Sequence, residues 1–335
     1  MDAKERLIVP RSGAGNILVT GGAGYIGSHV CKELALHGFH PVTLDHLKEG
    51  HREFVKWGPL EEGDLRNEGF LRDVIKKHHI DAVMHFASSI VVSESVVDPE
   101  KYYRNNVEGS LSLLSAVRDA GIKSFVFSST AAVYGMPTQL PIPEGHVTEP
   151  INPYGVTKLV IEHALRDYSR AYGFKSVALR YFNASGADPD GELWEAHDPE
   201  THLIPNAVRA ALDPGYTLKL FGDDYSTPDG TCIRDYIHVK DLARAHVAAL
   251  LRLSDWDSFQ AFNLGIGKGF SVREVIGAVE KKFGSKVKVE ISARREGDPP
   301  VLLADASKAM KVLDWSPEYT SIEAIVETLR TPGWT

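Results

Sequence analysis

The feature that most restricts the fold of this chain is the stretch TGGAGYIG, which spaces three glycines evenly between an apolar run and a helical pattern. The preceding run, NILVT, has the composition of a buried strand. The following segment, YIGSHVCKELALHG, has the apolar spacing of a helix closed by a glycine. At such a corner Gly21 permits a tight turn, Gly24 lets a pyrophosphate approach the backbone, and Gly27 lets the helix pack on the strand. The loop therefore predicts a dinucleotide-binding corner, with phosphates at the positive end of the helix.

An acidic residue follows the loop at the expected distance. Asp45 ends the next apolar run, PVTLD, about 20 residues after the glycines. A carboxylate at this place accepts hydrogen bonds from both ribose hydroxyls of the adenosine half of NAD and repels the 2′-phosphate of NADP. The sequence therefore favours NAD, and the alternative is a plain strand–turn–helix corner with a surface aspartate.

Predicted strands and helices alternate along the first half of the chain. This alternation indicates an α/β protein with a Rossmann-type, doubly wound, mostly parallel sheet covered on both faces. After about residue 185 the pattern changes to a smaller mixed α/β C-terminal lobe. The predicted strands are 16–20, 41–45, 81–87, 124–129, 176–183 and 261–265, and the predicted helices are 25–38, 67–79, 152–173, 203–215, 239–253 and 271–284, with a loop at 186–202 and a hairpin region near 217–233.

This pattern divides the chain into three parts. Residues 1–15 are predicted to be a flexible extension, either native or left by protease cleavage at VPRSG. Residues 16–185 form the predicted NAD-binding domain, to which the chain returns around 236–265. Residues 186–335, mainly 186–235 and 266–335, form the second lobe.

Composition excludes several classes of protein. The 335 residues carry a formal charge of -8, which argues against a nucleic-acid partner. No apolar run is long enough to span a membrane, and the N-terminus lacks the apolar core of a signal peptide. Cys31 and Cys232 belong to no CxxC motif, so we expect no metal site. We expect both cysteines to be free thiols in a reducing, cytoplasmic compartment.

A tyrosine and a lysine lie one helical turn apart in NPYGVTK, as Tyr154 and Lys158. Residues at this spacing share a helix face. A free phenol has a pKa of about 10, and a nearby cation lowers a pKa by about 1–3 units. Lys158 and an oxidised nicotinamide would both act in that direction, so that Tyr154 can exchange a proton with a sugar hydroxyl. The alternative is an exposed tyrosine beside a lysine.

A hydroxyl precedes this pair, at the carboxyl end of a predicted strand. Thr130 lies in SSTAAVYG, where ligands of open α/β sheets bind. We expect it to orient the reacting hydroxyl toward Tyr154, the alternative being a hydroxyl satisfied by its own turn.

Eleven motifs in order make the chain similar to the extended short-chain dehydrogenase/reductase family, and within it to the UDP-sugar 4-epimerases, over about residues 16 to 330. They are VTGGAGYIGSH, EGDLRN, HFA, YYRNNVEGS, SSTAAVYG, NPYGVTK, LRYFNASGADP, HLIP, DGTCIRDYIHV, FNLG and RREGDPP. The resemblance implies tightly bound NAD and a reaction that interconverts UDP-galactose and UDP-glucose. The sugar would be oxidised at C4, turned over, and reduced on its other face.

The resemblance also assigns roles to residues. Besides the glycines, Asp45, Tyr154 and Lys158, it implies NAD contacts at Tyr25, Ile26, Asp64, Leu65, Phe86, Ala87, Ser88, Asn105, Ser128 and Phe182. Besides Thr130, it implies UDP-sugar contacts at Asn183, His202, Leu203, Phe221, Arg234, Tyr236, Arg295 and Asp298. The chemistry of the guanidinium group supports the two arginines, because it binds phosphate oxygens in a bidentate manner.

Several alternatives remain open from the sequence. Leu302 neither clearly admits nor excludes an N-acetyl group, so UDP-N-acetylhexosamines, UDP-pentoses and UDP-uronates remain candidate substrates. Ile90 occupies a position that can carry a lysine or tyrosine near the cofactor, which puts that contact in doubt. Dehydratases and decarboxylases of the family place an acid after the active hydroxyl, where this chain has Ala131 and Ala132. A dinucleotide sensor without activity would tend to lose Tyr154 or Lys158. Resemblance also implies a homodimer.

Overall fold

The structure is a computed structural model that describes residues 15–295 and 297–330. Apart from Gly15, the predicted flexible extension lies outside the described residues. The strands are β1 Asn16–Thr20, β2 His40–Asp45, β3 Leu60–Glu62, β4 Ala82–His85, β5 Ser124–Thr130, β6 Lys175–Tyr181, β7 Asn183–Ser185, β8 Leu218–Phe221, β9 Ile233–His238, β10 Gln260–Leu264, β11 Gly269–Ser271, β12 Val289–Ser292 and β13 Val301–Leu302. The α-helices are α1 Tyr25–Leu36, α2 Glu68–Lys77, α3 Val92–Val97, α4 Pro99–Tyr102, α5 Gly109–Asp119, α6 Pro153–Tyr172, α7 Leu203–Leu212, α8 Val239–Arg252, α9 Val272–Phe283, α10 Ser307–Leu313 and α11 Ile322–Glu327.

Seven strands form one parallel sheet in the order β10-β6-β5-β4-β1-β2-β3. The order reverses between β1 and β4, which in doubly wound sheets opens a crevice for ligands at the carboxyl ends of the strands. The prediction of a Rossmann-type sheet is therefore confirmed. So is the late strand at 261–265, which the structure places as β10 beside β6.

The strands alternate their side chains between two apolar layers. Ile17 and Val19 face one layer, which contains residues of α1, α8 and α10. Leu18 faces the other layer, which contains residues of α2, α5 and α6. Because both faces of the sheet are covered, most of its strands contain runs of apolar residues, which made them recognisable in the sequence. The short strand β3, with the sequence LEE, lacks such a run and was not predicted.

The second lobe holds two small sheets. One has the order β11-β9-β13, with β7 beside β9, and the other pairs β8 with β12 in parallel. The predicted hairpin near 217–233 is wrong, because β8 and β9 lie in different sheets. Turn residues at 222–232 suggested a local reversal, but long-range partners, residues 289–292 and 269–271, take up the free strand edges.

A separate apolar cluster fills the second lobe, with contributions from α7, α9 and α11. By contrast, Ala309, Leu313 and Trp315 pack into the layer that contains α1, so α10 lies against the large sheet. None of the helices described by the structure is long and apolar enough to cross a membrane.

Candidate active site

The glycine loop follows β1 at the carboxyl edge of the large sheet. Gly21 has a φ of +72°, and a Cβ there would lie 2.6 Å from the backbone nitrogen of Ala87. A Cβ on Gly27 would lie 2.2 Å from the carbonyl oxygen of Gly21. Both positions therefore require glycine, one for conformation and close approach and the other for packing of α1 on the loop.

The N-terminus of α1 is free to bind an anion. Its N-cap, Gly24, has no side chain to accept a hydrogen bond, and no acidic residue lies in the first turn. The first N–H groups of a helix lack partners within the helix, and they lie at the positive end of the helix dipole. The loop thus fits the pyrophosphate of a dinucleotide.

Asp45 is fixed at the end of β2 and is 7% exposed. Its Oδ2 accepts a hydrogen bond from the N–H of Ala23 at 3.1 Å, and its Oδ1 accepts one from the N–H of Leu47 at 2.9 Å. Each carboxylate oxygen keeps a further lone pair, so the group can still accept the two ribose hydroxyls. These acceptor oxygens fit the adenosine ribose of NAD.

Tyr154 and Lys158 lie on the first turns of α6. The helix starts sharply because the Asn152 side chain accepts from the N–H of Gly155 at 2.8 Å and Pro153 occupies the first turn. The Nζ atom of Lys158 lies 5.9 Å from the centroid of the Tyr154 ring, so the predicted shared face is confirmed.

The ammonium of Lys158 is 2% exposed and donates to the carbonyl oxygen of Ser128 at 2.9 Å. It also lies over the ring of Phe127, 5.1 Å from the centroid. One carbonyl satisfies one of three ammonium donors. The remaining donors suit hydroxyls of a bound ribose, and this is a second feature that fits a dinucleotide.

The pKa shifts in this pair correct one expectation. Burial raises the pKa of Tyr154 to about 12, and the Thr130 side chain opposes this shift only in part. Burial also lowers the pKa of Lys158 to about 7. The sequence analysis expected Lys158 and an oxidised nicotinamide together to lower the pKa of Tyr154, and in the protein alone burial acts in the opposite direction.

Thr130 ends β5 and is 9% exposed. Its Oγ1 accepts a hydrogen bond from the N–H of Ala132 at 3.1 Å, which uses one lone pair and leaves the hydroxyl hydrogen available. The two alanines after Thr130 carry no group able to exchange a proton. The site therefore pairs a hydroxyl with a phenol and lacks an acid at the next two positions.

The other predicted NAD residues lie at or after the carboxyl ends of the strands, except for Asn105, which lies in the helical turn at 103–108. The backbone N–H groups of Phe86 and Ala87 donate to the carbonyl oxygen of Thr20, at 2.9 and 3.1 Å. The amide of Asn105 donates to Ser89 Oγ at 3.0 Å, and the hydroxyls of Ser128 and Tyr181 contact each other. Ser88 lies half-buried beside this loop, and Ile90 is 40% exposed there.

Three of the predicted NAD contacts have strong partners within the protein. Arg66 pairs with Asp64 and lowers the pKa of that carboxyl to about 2, while Leu65 is buried in the core. Tyr25 directs its hydroxyl to the carbonyl oxygen of Gly186 at 2.6 Å. The side chain of Ile26 packs against the core.

The predicted substrate residues of the second lobe contact one another. Arg234 donates to Asp298 Oδ1 at 2.7 Å and is 8% exposed, and the guanidinium of Arg295 lies 4.2 Å from the centroid of Phe221. The structure thus brings the two predicted arginines into pairs with two other predicted residues.

The remaining substrate residues join the two lobes. Asn183 pairs with Tyr236 between β7 and β9, where Tyr236 is buried in the core of the second lobe. Phe182 and Leu302 pack against the same small cluster, which includes Ala131 directly after Thr130. Leu302 is thereby linked through this cluster to the segment that follows Thr130.

His202 precedes α7, and Leu203 is its first residue. The Nδ1 of His202 lies 3.0 Å from Glu195 Oε1 and 2.9 Å from Glu200 Oε1. These carboxylates raise the pKa of His202 to about 10 and that of His197 to about 9, against the opposing effect of burial. The sequence analysis missed this cluster because it treated residues 186–202 as a plain loop.

The sequence analysis also missed a buried ion pair on the same helix as Tyr154. Arg180 on β6 donates from Nη2 to Glu162 Oε2 at 2.5 Å and from Nε to Glu162 Oε1 at 2.9 Å, with the two side chains 4% and 0% exposed. Ser129 donates to the same carboxylate at 2.6 Å. Because Glu162 lies one turn beyond Lys158 on the same helix face, it fixes the rotation of α6. The sequence did contain a sign of this ion pair, because Glu162 occupies a position of the predicted helix 152–173 that faces the core.

Comparisons with known proteins agree with this geometry. A family model described as "NAD dependent epimerase/dehydratase family" matches residues 17–265. The chain is 53% identical over 309 residues to a UDP-glucose 4-epimerase from Rhizobium leguminosarum bv. trifolii, covering 92% of this chain and 94% of that protein.

Two solved structures are similar over nearly their whole lengths. UDP-glucose 4-epimerase from Brucella ovis in complex with NAD has a TM-score of 0.91 and 53% identity, covering 94% of this chain and 97% of that one. UDP-glucose-4-epimerase from Stenotrophomonas maltophila, with bound NAD and formylated UDP-arabinopyranose, has a TM-score of 0.90 and 40% identity, covering 94% and 96%.

Proposed function

Because the chain belongs to the NAD-dependent epimerase/dehydratase family, we propose that it is a UDP-sugar 4-epimerase, which uses NAD to interconvert UDP-galactose and UDP-glucose. The observation that carries this proposal is the arrangement of Thr130, Tyr154 and Lys158 at the carboxyl edge of the sheet, beside the glycine loop. The sugar nucleotide lies between this edge and the arginines of the second lobe.

Each residue of the site has a distinct role. NAD, when bound, supplies the acceptor and donor of hydride together with a positive charge near Tyr154. Tyr154 takes the proton of the C4 hydroxyl as hydride leaves C4, and later returns it. Thr130 donates its free hydrogen to the reacting oxygen and orients it, and Lys158 donates to the nicotinamide ribose.

The second lobe holds the nucleotide while the sugar turns. Arg234 and Arg295 bind the diphosphate, Asp298 the uridine ribose and Phe221 the uracil. Asn183, His202, Leu203 and Tyr236 line the same site. With UDP anchored, the 4-keto sugar can rotate and present its other face without leaving. The reaction is therefore redox-neutral, and the dinucleotide stays in place.

The separate roles of the two lobes correspond to the proposed domains. Residues 16–185 and 236–265 bind NAD, and residues 186–235 with 266–335 bind the UDP-sugar, although α10 also packs against the large sheet. Asp45 would favour NAD over NADP, because its carboxylate repels a 2′-phosphate.

Incubation with UDP-galactose deuterated at C4, followed by ¹H NMR, tests the proposal. We expect UDP-glucose that retains the deuterium, with no exchange from solvent and no net reduction of added NAD. Turnover of a UDP-pentose or UDP-uronate without UDP-glucose formation would overturn the substrate assignment. Loss of water or carbon dioxide from the sugar would identify a dehydratase or decarboxylase instead.

A second candidate substrate class has an observation in its favour. The similar structure from Stenotrophomonas maltophila contains a formylated UDP-arabinopyranose, and Leu302 of this chain packs against the same apolar cluster as Phe182. UDP-pentoses and UDP-N-acetylhexosamines therefore belong in the same NMR panel. The ratio of kcat/KM for each sugar to that for UDP-galactose ranks them.

The proposed assembly is a homodimer through α3 to α6. Several apolar side chains of this region are exposed, including Val96 at 63%, Val97 at 86%, Tyr103 at 44% and Leu111 at 41%. We propose that a second copy of the chain covers these side chains, because large exposed apolar surfaces mark protein interfaces. Light scattering after size-exclusion chromatography should give twice the chain mass, and a monomer at micromolar concentration would refute the assignment.

We also propose a cytoplasmic location. Cys31 and Cys232 are both free, as is usual in a reducing compartment. Fractionation of the source cells with antibody detection should find the protein with cytoplasmic markers, and recovery with secreted proteins would contradict this.

A further inference from the structure

Four potential metal ligands converge in the loop that leads into α7. Glu195, His197, Glu200 and His202 each offer one ligand atom, and these atoms all lie within 4.8 Å of one another. Glu195 and Glu200 have side chains only 7% and 4% exposed. Their ion pairs, within the residues that the structure describes, are all to the two histidines.

Three of the distances between these atoms are close to those of a tetrahedral site. A metal with bonds of about 2.0–2.1 Å to nitrogen and oxygen places its four ligand atoms about 3.3–3.4 Å apart. His197 Nδ1 lies 3.3 Å from Glu195 Oε1 and 3.5 Å from Glu200 Oε2, and His202 Nδ1 lies 3.0 Å from Glu195 Oε1.

Two atoms of the cluster lack hydrogen bonds although they are buried. They are His197 Nδ1 and Glu200 Oε2, which face each other. A buried polar atom without a hydrogen bond destabilises the folded state. The Glu200 side chain is more than nine-tenths buried, and its other oxygen is fully used by the N–H groups of Thr201 and His202 and by His202 Nδ1. The unpartnered oxygen is thus aimed into the cluster.

We propose that Glu195, His197, Glu200 and His202 bind one divalent transition-metal ion, with Zn²⁺ as the best fit. Two imidazoles and two carboxylates suit Zn²⁺ and its neighbours Co²⁺ and Ni²⁺, whereas Mg²⁺ and Ca²⁺ prefer oxygen ligands in larger number. Because all four protein ligands close the site, its role is structural rather than catalytic.

The position of the cluster defines what the ion would stabilise. The ring of His197 meets the edge of Tyr25 in the glycine loop, 6.2 Å between centroids. His51 also holds this segment, because its Nε2 contacts the carbonyl oxygen of Ala196 at 2.6 Å. A bound ion would tie the start of α7 to the dinucleotide corner and neutralise two buried carboxylates.

Titration of the chelator-treated, full-length protein with Co²⁺ tests the site, since Co²⁺ reports its coordination by absorption. We expect the intense visible bands of four-coordinate Co²⁺, saturation at one ion per chain, and loss of the bands on addition of Zn²⁺. Weak six-coordinate bands, or binding that does not saturate, would overturn the proposal. In that case the two histidines are simply protonated partners of the carboxylates.

The variant His197→Gln removes one ligand, and His163→Gln removes an exposed histidine of α6 as the matched control. We expect the Co²⁺ bands and the rise in melting temperature with Zn²⁺ to disappear in the first variant and to remain in the second. Equal loss in both variants, or retention in both, would refute the assignment.

X-ray absorption at the zinc edge covers the case in which His197→Gln does not fold, because it needs only the unsubstituted protein. A shell of two imidazole nitrogens and two carboxylate oxygens supports the site. A shell of oxygens alone rejects it.

Discussion

Replacement of Lys158 by methionine should stabilise the dinucleotide-free protein at neutral pH while it slows the reaction. Burial lowers the pKa of Lys158 from 10.5 to about 7. A difference of about 3.5 units corresponds to about 5 kcal/mol, which the folded state loses by holding the ammonium in the interior. Methionine removes that cost but leaves the carbonyl of Ser128 without its donor, at about 1–3 kcal/mol. The net gain is about 2–4 kcal/mol.

The sign of this effect depends on pH. Below pH 7 lysine is protonated in both states, so the full cost is present. Between pH 7 and 10.5 the unfolded chain binds more protons than the folded one, so the stability of the parent protein rises with pH. The advantage of methionine should therefore shrink over this range and vanish or reverse near pH 10.5.

Urea denaturation of NAD-stripped protein at pH 6 and pH 10 measures both quantities. Lys123→Met is the matched control, because the exposed Lys123 also donates to a backbone carbonyl, that of Tyr172 at 2.8 Å. We expect the control to change the free energy of unfolding by less than about 0.5 kcal/mol at either pH. A Lys158→Met protein that is less stable at pH 6, or whose difference from the parent does not depend on pH, would refute this reasoning.

Although Lys158→Met should stabilise the protein, it should lower kcat. At an effective dielectric constant of about 20, a charge acting over about 6 Å contributes about 3 kcal/mol, or about two pKa units at the phenol. We therefore expect kcat at neutral pH to fall by about 100-fold in Lys158→Met, with the pH–rate profile moved to higher pH.

Three further variants test the rest of the site. Glu162→Ala should cost about 3–5 kcal/mol of unfolding free energy by urea denaturation, because it leaves Arg180 charged and buried; a loss below 1 kcal/mol would contradict the importance of the pair. Asp45→Asn should weaken the binding of NAD by about 10–100-fold and reduce the preference of the protein for NAD over NADP, both measured by equilibrium binding. Unchanged NAD affinity would refute the ribose contact. Thr130→Val should lower kcat by about 10–100-fold while Thr130→Ser keeps it, since only the first loses the hydroxyl; equal activity of both would exclude that role.

Much of the large sheet could be predicted from the sequence because its signals are local. Strands buried on both faces are continuously apolar, and α6 carries its own start and stop in Asn152, Pro153 and Gly173. The late return of β10 was also visible, as an apolar run after α8. The partners of β8 and β9 were not visible, because pairing between strands that are far apart in the sequence leaves no local mark.

Some features of the site could also be predicted from local sequence and others could not. Gly21, Asp45, Tyr154 and Lys158 have spacings fixed by one turn or one helix, so their proximity could be predicted. The direction of the Tyr154 pKa could not, because it depends on how much water the folded chain removes. The Glu195–His202 cluster was missed for a related reason: its residues belong to an irregular loop, whose conformation sequence periodicity does not describe.

The most direct test of the proposed mechanism is the turnover of Tyr154→Phe with UDP-galactose. The phenyl ring keeps the packing and loses only the oxygen that exchanges the proton. NAD content and UDP affinity, measured on the same sample, should match those of the parent protein. We expect kcat to fall by about 10²–10⁴-fold, as for the loss of a general acid–base group. Full turnover by this variant would contradict the account.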